Sequence, residues 1–269
     1  MKLKTSFKMK ITKIIFAAVL AMCAFAAQAQ DKDDDFDFPF ENEDNDNGFH
    51  FTTDFVTKNT WRGMNVSDAA FQPELSYSIG GLRIGSWGST ALNSDDKYTE
   101  LDFFLEYAVG GVSMMVYDYC WTDDNGKFDY FGKYKDTHLL EVGLGYDFGE
   151  ICENFPVSFN VNTIVAGANR KANDDQAFST YMEIVYAPSL KNLDLSFTVG
   201  AASEDEDAAM YSRKGGFNIV NIDFGLSHDF NIKDIATITA KADVIFNPTG
   251  SAGAEKGEAF ITAGFGITF

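Results

Sequence analysis

Beyond residue 29, no apolar run approaches the roughly 18 residues that a membrane-crossing helix needs. Cysteine is nearly missing. Of three in the chain, only Cys120 and Cys152 lie past the N-terminal segment, which excludes a small disulfide-stapled fold. Basic residues are few as well, 21 Lys and Arg against 40 Asp and Glu. So acidic a chain lacks the clustered cations that displace counterions from phosphates, which excludes nucleic acid as a partner. The three histidines, His50, His138 and His228, leave little material for acid–base catalysis.

What the chain does have begins at its N-terminus. "MKLKTSFKMKITK" carries five lysines and no acid, and the short apolar run "IIFAAVLAMCAFAA" follows it. Ala27-Gln28-Ala29 then supplies small residues for cleavage, completing a secretory signal peptide over residues 1–29. Removing these 29 of 269 residues leaves 240, beginning at Gln30. The five signal lysines leave with it, so 16 basic residues face 40 acidic ones, a formal charge of −24.

The next segment, 30–47, reads "QDKDDDFDFPFENEDNDN", with nine acids and one lysine. Low hydrophobicity and charge repulsion predict a disordered leader. The segment lacks the glycine and closing glutamate of a calcium loop, and nothing else in the chain asks for a metal or a cofactor.

From Gly48 to Phe269 the pattern changes to alternation with a period of two. "TELDFFLEYAV" sets Leu101, Phe103, Leu105, Tyr107 and Val109 on one face, with Glu100, Asp102 and Glu106 on the other. "FHFTTDFVTK" and "VSFNVNTIV" follow the same rule, as does the terminal "AFITAGFGITF". Twelve such segments are predicted as strands: 49–60, 71–79, 82–90, 98–109, 112–121, 137–148, 157–167, 178–187, 193–201, 217–228, 236–246 and 259–269. Their connections alternate. Gly80-Gly81, Gly110-Gly111, "GEICENF", "APSLKN" and "DFNIKDI" are short, whereas "RGMNVSDAA", "STALNSDDKY", "TDDNGKFDYFGKYKD", "NRKANDDQ", "SEDEDAAMYSRKGG" and "NPTGSAGAEKG" are long and polar.

An all-β, antiparallel, up-and-down transmembrane barrel accounts for this rhythm, with short periplasmic turns and longer extracellular loops. A soluble sandwich gives no reason for long and short connections to alternate. Only closure satisfies every backbone group in lipid. An even strand count then brings the last strand beside the first, so the apolar edge ending at Phe269 closes the ring and ceases to be an edge. That terminal aromatic also resembles the C-terminal signal that outer-membrane proteins present to the barrel assembly machinery. Cys120 and Cys152 fall at opposite rims, too far apart for a disulfide.

Within "DFVTKNTWRGMNVSDAAFQPELSYSIGGLRIGSWGSTALNSDDKYTELDFFLEY" the chain resembles the TorF-like family of outer-membrane porins. The residues that carry the likeness are Trp61-Arg62-Gly63, Ser67, Gln72-Pro73, Gly81, Gly85, Trp87, Ser89, Glu100 and Asp102. The likeness is strongest over residues 54–107, and beyond it only the strand rhythm agrees. It implies an outer-membrane barrel in a Gram-negative bacterium and brings no catalytic residues with it.

Placing the apolar face toward lipid puts eleven acids in the lumen: Asp54, Glu74, Glu100, Asp102, Glu106, Asp118, Glu141, Glu183, Asp194, Asp223 and Asp243. Only Lys58, Arg83 and Lys241 would face them, and a dry interior cannot hold that imbalance. The expectation is a water-filled, cation-preferring path for small hydrophilic solutes. Two other readings stay open. A barrel hydrolase would use His138 with Asp136 and a loop serine, although no nucleophile motif marks one. A non-conducting structural or adhesive barrel would act through loops such as "GKFDYFGKYK".

Overall fold

The structure, a computed structural model, describes residues 47–93, 97–152, 155–191, 193–233 and 235–269. The predicted signal peptide and nearly all of the acidic leader lie outside the described residues. In chain order the strands are β1 (Gly48–Val56), β2 (Asn59–Trp61), β3 (Met64–Ser67), β4 (Ala70–Ile79), β5 (Leu82–Ala91), β6 (Thr99–Val109) and β7 (Val112–Cys120). A single helical turn, α1 (Tyr134–Thr137), precedes β8 (His138–Asp147), β9 (Val157–Gly167), β10 (Thr180–Tyr186) and the two-residue β11 (Ser189–Leu190). Then come β12 (Leu193–Glu204), β13 (Gly216–Ile232), β14 (Ala236–Asn247) and β15 (Glu258–Thr268).

Twelve of these close an antiparallel ring in the order β1-β4-β5-β6-β7-β8-β9-β10-β12-β13-β14-β15, with β15 returning to β1. Each predicted strand corresponds to one ring strand. The seam between β1 and β15 pairs Asp54 with Gly266 and Phe55 with Phe265, and the Phe269 amide donates to the Phe51 carbonyl at 3.0 Å. Alternation decides which face is which. Phe49, Ile84, Phe103, Ile184, Val199, Val244 and Ile261 all point outward and stay exposed. An apolar belt around the whole wall needs lipid rather than water against it, so the ring is a transmembrane barrel.

Turn chemistry sets the short ends. Gly80-Gly81 and Gly110-Gly111 both have two successive positive φ angles (55° and 78°, 53° and 76°), the backbone of a type I′ hairpin. Aromatic rings brace the outer face across strand boundaries. Phe55 lies 5.0 Å from Phe71 and 5.1 Å from Phe265, joining β4, β1 and β15.

Two departures from simple alternation shape the interior. Bulges interrupt the register between Leu140 and Glu141 on β8 and between Gly200 and Ala201 on β12. The main buried apolar cluster lies inside the barrel, toward the end with the long loops. It comprises Leu139, Ile164, Tyr181, Ala202, Tyr211 and Val220. A barrel this wide would leave that end hollow if only its own walls filled it. The filling comes from elsewhere.

Candidate functional site

The segment "RGMNVSDAA", expected as an extracellular loop, instead folds into the lumen. β2 and β3 pair only with each other, and Arg62 and Gly63 form the tip between them, at φ 50° and 82°. At its base, Gln72 donates through Nε2 to Asn59 Oδ1 at 3.0 Å. The tip crosses to the far wall, where a Cβ on Gly63 would run into the Val220 carbonyl of β13.

There Arg62 meets Glu141 of β8. Nη1 donates to Oε1 at 2.5 Å and Nη2 to Oε2 at 2.8 Å, a fork-on-fork ion pair. Nη1 also donates to the Tyr211 hydroxyl at 2.8 Å, and the Tyr119 hydroxyl donates to Glu141 Oε2 at 2.9 Å. The guanidinium lies over the rings of Trp61 and Tyr181, 4.8 Å and 4.7 Å from their centroids. Glu141 is fully buried and the Arg62 side chain is 11% exposed. Tyr211 is held in place by Glu204, whose carboxylate accepts the amides of Met210, Tyr211 and Ser212 at 2.6–2.9 Å.

Below the hairpin lies a cavity of about 910 Å³. Glu74, Glu100, Asp102, Glu106, Glu183 and Asp243 line it. Arg83 of β5 ties two of these together, pairing with Glu74 and, at 2.6 Å, with Glu106. The Tyr117 hydroxyl donates to the same Glu106 at 2.6 Å. Asp54 pairs with Lys241 at 2.7 Å, crossing over β15 where Gly264 and Gly266 leave the wall without side chains. Asp223 takes an inward position on β13, level with Thr198 of β12. Among the described residues, Glu100, Asp102, Glu183, Asp223 and Asp243 have no ion-pair partner.

Three of them accept from neutral donors. Glu100 accepts from the Tyr98 hydroxyl at 2.6 Å, Asp102 from the Cys120 amide at 3.3 Å, and Glu183 from the Tyr181 hydroxyl at 2.8 Å. Asp194 accepts from the Ser189 hydroxyl at the end of the barrel with the short turns. Lys58, counted as a lumen cation, is bound to Asp68 at 3.1 Å.

One predicted lumen acid faces the other way. Asp118 stands opposite Phe103 in the β6–β7 register and shares its outward face. Loop 121–137 packs on the outer wall over it. The Tyr130 and Tyr134 hydroxyls donate to the carboxylate at 2.7 and 2.8 Å, and His138 Nδ1 lies 3.2 Å from it. Burial, and then the carboxylate itself, raise both phenols above their ordinary range. The partner of His138 is therefore Asp118, not Asp136. Its other nitrogen faces the Tyr130 carbonyl at 2.9 Å, so both ring nitrogens serve to hold the loop. The neighbouring Cys120 is buried and unbridged, and Cys152 is free in the turn at the opposite rim.

Solved structures that align with the barrel include outer-membrane proteins. The NanC porin matches at a TM-score of 0.44 and 10% identity, over 82% of this chain and 99% of its own. An outer membrane channel from Pseudomonas putida F1 matches at 0.43 and 8%, over 82% and 94%. These likenesses are distant. No family model and no curated protein matches the chain.

Sequence reasoning missed the inward hairpin, and a signal for it was present. Asn59-Thr60-Trp61 and Met64-Asn65-Val66 are short extended stretches on either side of a two-residue Arg-Gly turn. Nothing local states on which side of the wall such a hairpin lies.

Proposed function

We propose that this chain is an outer-membrane channel for small hydrophilic solutes in a Gram-negative bacterium, narrowed by the β2–β3 hairpin and preferring cations. One observation carries the reading. Five carboxylates on the inner wall (Glu100, Asp102, Glu183, Asp223 and Asp243) have no ion-pair partner among the described residues, while four others share the three cations Arg62, Arg83 and Lys241. Ionised carboxylates without counter-charges need water or mobile cations, and rings of Asp and Glu favour cations in a narrow path. The likeness to TorF-like porins over residues 54–107 agrees with it. In this reading the long loops face the exterior, and the seam strand ending at Phe269 is what the assembly machinery receives.

Planar-bilayer recording tests it. Steps of conductance with a reversal potential favouring K⁺ over Cl⁻ are expected from the folded protein. A folded barrel that inserts and passes no current would instead leave the structural or adhesive reading, with loop 121–137 on the outer wall as its surface.

A further inference from the structure

Arg62 stands at a backbone position that suits Asn or Gly better, with φ at 50°. Its side chain, rather than its backbone preference, accounts for its place. The contacts around that side chain form a specific receptor: two carboxylate oxygens for two nitrogens, a phenolic oxygen, and two aromatic faces. That set matches a planar guanidinium and fits a compact ammonium poorly.

Most of the receptor does not belong to the hairpin. Glu141 comes from β8, Tyr119 from β7, Tyr181 from β10, and Tyr211 from a loop pinned by Glu204. Only Trp61 travels with Arg62. The hairpin itself has three residue pairs and no sheet neighbour, and such a unit is marginal without outside contacts. The receptor also continues toward the cavity. Tyr181 donates to Glu183, and Asn221 donates to the Tyr181 hydroxyl while its own buried Oδ1 has no partner.

We infer that this box is a guanidinium-binding site at the constriction, filled at rest by the chain's own Arg62, and that solutes bearing a guanidinium group displace the hairpin by replacing Arg62 against Glu141. Withdrawal without a replacement strands a buried carboxylate, so cation entry and hairpin release are coupled. The displacement half rests on the channel reading, but the binding half does not.

The probe is ethylguanidinium chloride, with ethylammonium chloride as the control, added at millimolar concentration to the folded chain in detergent. R62A empties the box. Ethylguanidinium is expected to raise the unfolding temperature of R62A and alter its tryptophan fluorescence at about one-tenth the concentration of ethylammonium required, a preference of ~1.4 kcal/mol. Adding E141Q should erase that preference. Should R62A fail to fold, R62K keeps a charge against Glu141, and the same preference is expected as ethylguanidinium replaces the lysine. Equal responses to the two cations, or a preference that survives E141Q, overturn the site.

Bilayer conductance separates the two readings. R62A that conducts without any guanidinium preference removes the site and leaves the channel. A preference in a barrel that never conducts removes the channel and keeps the site. If R62A conducts well but ethylguanidinium does not raise wild-type conductance above the ethylammonium level, the displacement half is wrong.

Discussion

Arg62 and Glu141 join opposite sides of the barrel interior through two hydrogen bonds of 2.5 and 2.8 Å, one residue from a hairpin tip and the other from β8. Glu141 is wholly buried, so the pair is the main electrostatic tie between the hairpin and the far wall. Removing either partner leaves the other charge uncompensated. E141Q or R62A should each destabilise the barrel by about 3–5 kcal/mol, and R62M/E141L by much less than the sum. Heat-modifiable gel mobility across a denaturant series measures both. Additive losses would mean that the two residues act independently.

Shortening the hairpin is the second test. Val56 and Ala70 are already paired in the β1–β4 register, so Asn59–Ser67 can be replaced by a short Gly-Ser-Gly link without moving either strand. The constriction should disappear, and single-channel conductance should rise several-fold. Unchanged conductance in a folded variant would place the narrow point elsewhere.

Selectivity should depend on the unpaired carboxylates rather than on acids in general. Neutralising Glu183, Asp223 and Asp243 together should lower the preference for K⁺ more than E106Q does, because Glu106 is already bound by Arg83. The difference should shrink between about 0.1 M and 1 M salt, where the screening length falls from about 10 Å to about 3 Å. Reversal potentials across a salt gradient report it. A triple variant as selective as wild type at low salt would exclude these groups from the conduction path.

At the seam, the Phe269 amide donates to the Phe51 carbonyl and the two rings lie 6.0 Å apart. Deleting Phe269 should lower the fraction of heat-modifiable, folded barrel far more than the loss of one hydrogen bond suggests. A folded fraction equal to wild type would show that closure does not depend on it.

Thiol labelling tests topology. Cys152 is exposed in the turn after β8, whereas Cys120 is buried at the other end of β7. A membrane-impermeant maleimide should leave intact cells unlabelled and should modify Cys152 alone once the outer membrane is broken. A tag at Asn125 should be accessible throughout. Labelling of Cys152 on intact cells would invert the orientation.

The sequence by itself determined the barrel. Period-two alternation, two Gly-Gly turns and connections of alternating length were legible because strand side chains obey a local rule, two residues per repeat, whatever their neighbours. For the same reason nine predicted lumen acids, among them Asp54, Glu74 and Asp243, lie on the inner face. Asp118 keeps that alternation but in the opposite phase, on the outward face with Met114 and Val116. Its strand holds phase with β6 through Phe104 and Tyr117, which turns Asp118 outward, where two tyrosine hydroxyls from a folded-back loop, with His138 of β8 beside them, make an outward carboxylate tenable. The tertiary structure alone decided the fate of Trp61-Arg62-Gly63. A two-residue turn fixes how a hairpin closes and says nothing of where it docks. Arg62 reaches Glu141, 79 positions away, only because ring closure sets β8 across the lumen from β1 and the buried carboxylate there requires a cation.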